Sequence, residues 1–170
     1  MKSLLGGALL LCLLSVTACG SSAPAAAPNT TPVETATPTP TATVSQFASV
    51  IAEHEKSWRD YEEKIVDCAF AGISSAAIDQ VKRTTCTYTA STVTLEAQTA
   101  LRDIMKLPSP PAEIKDLVNR TITVLEPLGD NQASTACSDQ TSEACDGAIT
   151  KANGDIRPVT SVLDAWKPYL

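Results

Sequence analysis

Residues 44–68 read VSQFASVIAEHEKSWRDYEEKIVDC, and their spacing decides the fold. Val44, Phe47, Ile51, His54, Trp58, Tyr61, Ile65 and Cys68 follow one another at alternating steps of 3 and 4. Such steps keep one face of an α-helix apolar over about seven turns. Glu, Lys and Arg fill the opposite face. The segment predicts a long amphipathic helix.

The same pattern returns downstream. In residues 75–107, Val81, Tyr88 and Leu95 repeat every seven, while Val93, Ala97, Leu101 and Ile104 form a second helical row. The middle, TTCTYTASTVT, is rich in β-branched Thr and locally alternates, as a strand would. No Gly or Pro interrupts residues 73–107, and a strand of that length is improbable. The segment is read as helix, with any irregularity expected near Thr84–Thr89. LPSPPAEI then stops one helix and starts another, with Glu113 suited to the positive end of the new one. Ile114, Leu117, Thr121, Val124 and Leu128 carry the spacing on until Pro127 and Gly129-Asp130-Asn131 kink or interrupt it. Ile149, Ala152, Ile156, Val159, Leu163, Trp166 and Leu170 mark the last helix, with a bend expected at Pro158.

Four matched segments joined by short turns predict an all-α domain over residues 44–170, an antiparallel up-down four-helix bundle. Five or six shorter helices, broken at Gly129 and Gly154, are the alternative. Cys68 ends the first helix and Cys86 lies early in the second; Cys137 and Cys145 flank the turn between the third and fourth. Pairing 68 with 86 and 137 with 145 staples each hairpin, closing loops of 18 and 8 residues. Absence of Cys-x-x-Cys spacing argues against a metal site.

The chain of 170 residues carries a net charge of -6 and has a pI of about 4.7. The acidity belongs to the helical part, which repels phosphate backbones, so nucleic-acid binding is not expected.

Residues 1–18 follow the plan of an export signal: Lys2 at the positive end, then an apolar run. Val16-Thr17-Ala18 before Cys19 resembles the lipobox of bacterial lipoproteins, in which the equivalent thiol receives a diacylglyceryl group and becomes the new N-terminus. An ordinary exported chain cut near Ala18 is the alternative. Residues 19–43 hold the lipidated Cys19 and a Pro/Thr-rich stretch with five of the eleven prolines and a single charge, Glu34. Such a stretch has too little apolar surface to fold and reads as a disordered tether, roughly 75 Å at full extension. It is similar to the tethers of actinobacterial lipoproteins. The resemblance implies a membrane-anchored protein on the extracytoplasmic side, held by lipid at Cys19.

Chemistry is hard to find. His54 is the sole histidine and lies on the apolar stripe. It reads as a packed imidazole; the sharper reading, a metal or haem ligand together with Met105, lacks a Cys-x-x-Cys-His or Glu-x-x-His motif, since Ile51 stands where that Glu would be. No nucleophile elbow, Walker loop or dinucleotide fingerprint is present. Neither an enzyme nor a cofactor is expected. Trp166 and Tyr169 either close the core or form an aromatic patch for a partner. His54, Trp58, Tyr61, Trp166 and Tyr169 are the candidate contact residues. The expected function is a monomeric, non-enzymatic binding module for an envelope protein or wall component. A carrier of a small apolar ligand held between the helices is the rival.

Overall fold

The computed structural model describes residues 40–70 and 77–170. The leader, Cys19 and most of the tether lie outside the described residues. Four long helices and one short turn of helix follow: α1 (Val44–Ala69), α2 (Ala77–Lys106), α3 (Lys115–Gly129), α4 (Ala133–Ala136) and α5 (Glu143–Trp166). No strand occurs among the described residues. A lone parallel bridge joins Thr41 to Ser109, where the Ala42 amide donates to the Ser109 carbonyl at 3.0 Å.

Helix α1 begins where Thr43 can cap it. The Gln46 amide donates to Thr43 Oγ1 at 3.3 Å and the Thr43 amide to Gln46 Oε1 at 2.8 Å, a reciprocal capping box. Phe47, Ile51, His54, Trp58, Tyr61, Ile65 and Cys68 of the stripe are all buried, and Val44 is half-buried at its end. Helix α2 runs without interruption through Thr84–Thr89. Its threonines cause no break because Thr84, Thr85, Thr89 and Thr92 bond back to carbonyls four residues earlier, which satisfies the hydroxyls inside the helix.

The third arm departs from the expected matched length. Helix α3 spans only 15 residues and ends at Gly129, two residues past Pro127. Pro127 has no amide to donate to the Thr123 carbonyl, and the helix ends within a turn of it. Gly129 permits a close approach to α2: a Cβ at this position would lie 3.3 Å from Leu101 Cδ1, and Gln98 Nε2 donates to the Gly129 carbonyl at 2.7 Å. The chain then turns through buried Asn131, which accepts from the Ala133 amide at 2.8 Å and donates to the Ala148 carbonyl at 2.9 Å. That side chain ties α4 to α5. Helix α5 is capped by Ser142 and runs unbroken through Gly154 and Pro158. Gly154 stands four residues before Pro158, where the proline ring presses on the preceding turn.

α1 and α3 each pack against both α2 and α5, and the apolar rows of all four meet in a continuous core. Cys68–Cys86 and Cys137–Cys145 are disulfides, with Cα atoms 5.4 and 4.5 Å apart. In the chain-entropy treatment, loops of this size contribute about 3 and about 2.5 kcal/mol. None of the described helices is long and apolar enough to cross a membrane.

Candidate functional site

Four of the five ring-bearing candidates belong to the core. Trp58 is wholly buried, and the His54 ring lies 5.4 Å from it at a tilt of 33°. His54 Nε2 and Trp58 Nε1 have no hydrogen-bond partner among the described residues. Tyr61 is buried too, and its hydroxyl donates to Asn153 Oδ1 of α5 at 2.7 Å. Burial pushes the Tyr61 phenol above its ordinary value, because the phenolate would have to leave water. Trp166 Nε1 donates to Thr121 Oγ1 at 2.8 Å, and that hydroxyl donates to the Leu117 carbonyl at 2.8 Å. The bond pins the end of α5 to α3. Tyr169 sits edge-on to Trp166 with ring centres 6.0 Å apart, and it alone of the five reaches solvent, being 39% exposed. The terminal pair is therefore divided between core and surface. Met105 is 69% exposed and does not share the interior with His54.

A hollow of about 490 Å³ opens between the end of α1, the start of α2 and the first half of α5. Ile65, Ile149 and the Cys68–Cys86 disulfide form part of its wall, together with Arg83, Asp146 and Arg157. Arg83 is committed, bonded to the Gln140 carbonyl and paired with Asp146. The wall of the hollow is therefore mixed, with charged side chains set among apolar ones. Elsewhere the cross-helix polar links are structural: Arg59 joins Glu55 on its own helix to Asp164 on α5, at 2.7 and 3.2 Å. The neighbouring Lys167 and Arg59 hold the Asp164 carboxyl below its ordinary range.

The sequence reading missed the outer face of α2. Ile78, Val81, Tyr88 and Leu95 are all large, apolar and exposed, Tyr88 at 70%. The repeat of seven through Val81, Tyr88 and Leu95 signalled a helix and said nothing of which way the row points. The inner row of the same helix is built from smaller side chains, with Ala90, Ala97 and Ala100 fully buried beside Cys86, Val93 and Ile104. That contrast was the available signal: a helix with alanines on one face and larger residues on another has two faces in use. The chain matches no protein-family model, no curated protein and no solved structure, so the functional reading rests on the placement of these residues.

Proposed function

We propose that this chain is a lipid-anchored, non-enzymatic binding module of the bacterial cell envelope. Cys19 is the anchor, the Pro/Thr-rich stretch is the spacer, and an up-and-down bundle over residues 44–170 presents its α2 face to a protein partner on the extracytoplasmic side. The observation that carries the reading is the outward apolar row of α2 set beside an interior filled by side chains. A monomer gains nothing from leaving Ile78, Val81, Tyr88 and Leu95 in water, and contiguous exposed apolar surface marks interaction sites. The rival apolar carrier requires an apolar chamber, and the open hollow near Cys68–Cys86 instead sets Arg83, Asp146 and Arg157 among its apolar wall residues.

A photo-crosslinking residue placed at Tyr88 in the membrane-bound protein tests the docking face. A covalent protein adduct is expected at position 88 and at Leu95, and none at Glu62 on the charged face of α1. Adducts absent from both α2 positions in folded protein would overturn the reading. The anchor is tested separately: Cys19→Ala should move the protein from the membrane to the soluble fraction, and continued fractionation with washed membranes would reject the lipid assignment.

A further inference from the structure

The hollow beside the Cys68–Cys86 disulfide has an apolar floor and a polar rim. Ile65, Ile149 and the disulfide line it and are all buried. The rim comes from one face of α5, where Asp146, Thr150, Asn153 and Arg157 follow one another at steps of 4, 3 and 4. Arg83 of α2 completes it. Its volume of about 490 Å³ is that of a small-molecule site.

The partners of these polar groups show which chemistry is left over. Arg83 and Asp146 pair with each other, so their charges cancel. Asn153 Oδ1 accepts from Tyr61, which leaves the Asn153 Nδ2 amide without a protein partner among the described residues. The Thr150 hydroxyl has none either, whereas Thr85, Thr92 and Thr99 of α2 each return theirs to a carbonyl one turn back. Arg157 makes no hydrogen bond or ion pair among the described residues. It also borders a shallower groove with Glu62 and Asp164; Glu62 forms no ion pair with it, and Arg59 and Lys167 already hold Asp164. One guanidinium, one amide and one hydroxyl therefore remain on the rim, all of them donors. Donors that include a cation, set above an apolar floor, suit an oxyanion carried on an apolar body.

A glycine keeps room at this rim. Gly154 lines the hollow between Asn153 and Arg157, and a Cβ there would meet nothing within 4 Å. Packing does not require glycine at this position, although glycine inside a helix is less favourable than alanine or leucine. A longer side chain would take up space that the hollow offers. The hollow also lies away from the chain's entry into the bundle. Ala42 is bonded to Ser109 just before α1, whereas Cys68 is in the last turn of α1, roughly 36 Å along the helix.

We propose that this hollow binds a small amphipathic anion, an oxyanion head on a short apolar body. Arg157, Asn153 and Thr150 hold the head, and Ile65, Ile149 and the disulfide take the body. The site is separate from the docking face of α2, and either can stand without the other.

Titrating octanoate, octyl phosphate and octan-1-ol into the full chain carrying Cys19→Ala, followed by the amide NMR signals of residues 65–69, 83–86 and 146–157, tests it. At least one of the two anions is expected to shift these signals with a midpoint of about 1 mM or below, roughly tenfold tighter than the alcohol. The tighter anion shows whether the head is a carboxylate or a phosphate. Arg157→Gln should weaken that anion about tenfold and leave the alcohol unchanged. Gly154→Leu should raise the thermal midpoint by a few degrees while weakening the anion about tenfold. A glycine with no part in binding would give the first effect without the second. The proposal is overturned if neither anion shifts these signals up to about 10 mM, or if the shifts fall elsewhere in the chain. An alcohol that binds as tightly, or an anion indifferent to Arg157→Gln or to Gly154→Leu, would overturn it too. Crosslinking at Tyr88 depends on none of these results, so the docking face is judged separately.

Discussion

Helices α1 and α2 are of similar length and are joined by a disulfide, yet they distribute their side chains in opposite ways. Helix α1 turns its largest residues inward: Phe47, Trp58 and Tyr61 are buried, while Glu, Lys and Arg cover the outside. Helix α2 turns alanines inward at positions 90, 97 and 100 and leaves Val81, Tyr88 and Leu95 in water. Small inward residues let the neighbouring helices come close, so α2 contributes less apolar volume per turn to the core. Its larger residues are then free to serve a second surface. One helix holds the fold together, and the other divides its faces between the fold and the outside.

Truncating the largest ring on each helix puts the widest gap between them. Trp58→Ala empties a fully buried site and should cost about 3–5 kcal/mol by chemical denaturation. Tyr88→Ala removes a ring that is 70% exposed and should stay within about 0.5 kcal/mol in dilute solution. Equal losses at the two sites would show that α2 buries its outer row after all. Next in size is the covalent link between the helices. Replacing Cys68 and Cys86 together by Ala should lower stability by about 3 kcal/mol, somewhat more than the same change at Cys137 and Cys145. A larger loss at the shorter loop would point to a local role for Cys137–Cys145 beyond loop closure. Below these comes Ala97→Leu, which adds volume to a fully buried alanine on the inner row of α2 and should cost about 1–3 kcal/mol. A neutral result would mean that the inner row is loosely packed.

The two helices also differ in how far their sequences disclosed them. The stripe of α1 was legible because its polar and apolar residues separate cleanly, and seven of its eight members are buried. The helical state of α2 was legible from its uninterrupted length, while its orientation was hidden: Ala and Thr are nearly neutral in hydropathy, so the exposed Val81, Tyr88 and Leu95 dominated the pattern. In the third arm Pro127 and Gly129 signalled an end, and the helix stops there. The 3–4 spacing could not show that Leu125 would take the buried place and leave Val124 only half-buried. Gly154 suggested a break that α5 does not make: the helix runs on through it and through Pro158, and a Cβ at Gly154 would meet nothing within 4 Å, so this glycine serves no close approach. Of the candidate contact residues, the aromatic character was plain and the burial was not. Helical periodicity places Trp58, Tyr61 and Trp166 on an apolar face without distinguishing core from patch.

The smallest effect separates the two tyrosines that represent these helices. The buried Tyr61 hydroxyl donates to Asn153 Oδ1 at 2.7 Å, and Tyr61→Phe deletes that bond while keeping the ring. The loss near neutral pH should be about 1 kcal/mol, the net value of a single hydrogen bond. The difference should then shrink in alkali. A phenol raised by burial in the folded state is stabilised in its protonated form, so its contribution is fully present below the unfolded value of about 10. It is lost as pH rises from there towards the higher folded value. Phe does not ionise, and every other titrating group is common to both proteins, so subtracting the two stability curves isolates Tyr61. The gap should narrow above about pH 10 and can reverse as ionisation proceeds. Tyr88→Phe deletes no hydrogen bond within the described residues and should leave stability near neutral pH unchanged within about 0.5 kcal/mol. A Tyr61 gap that stays constant into alkali would show that its hydroxyl reaches water, and the inward-facing ring of α1 would then resemble the outward-facing ring of α2.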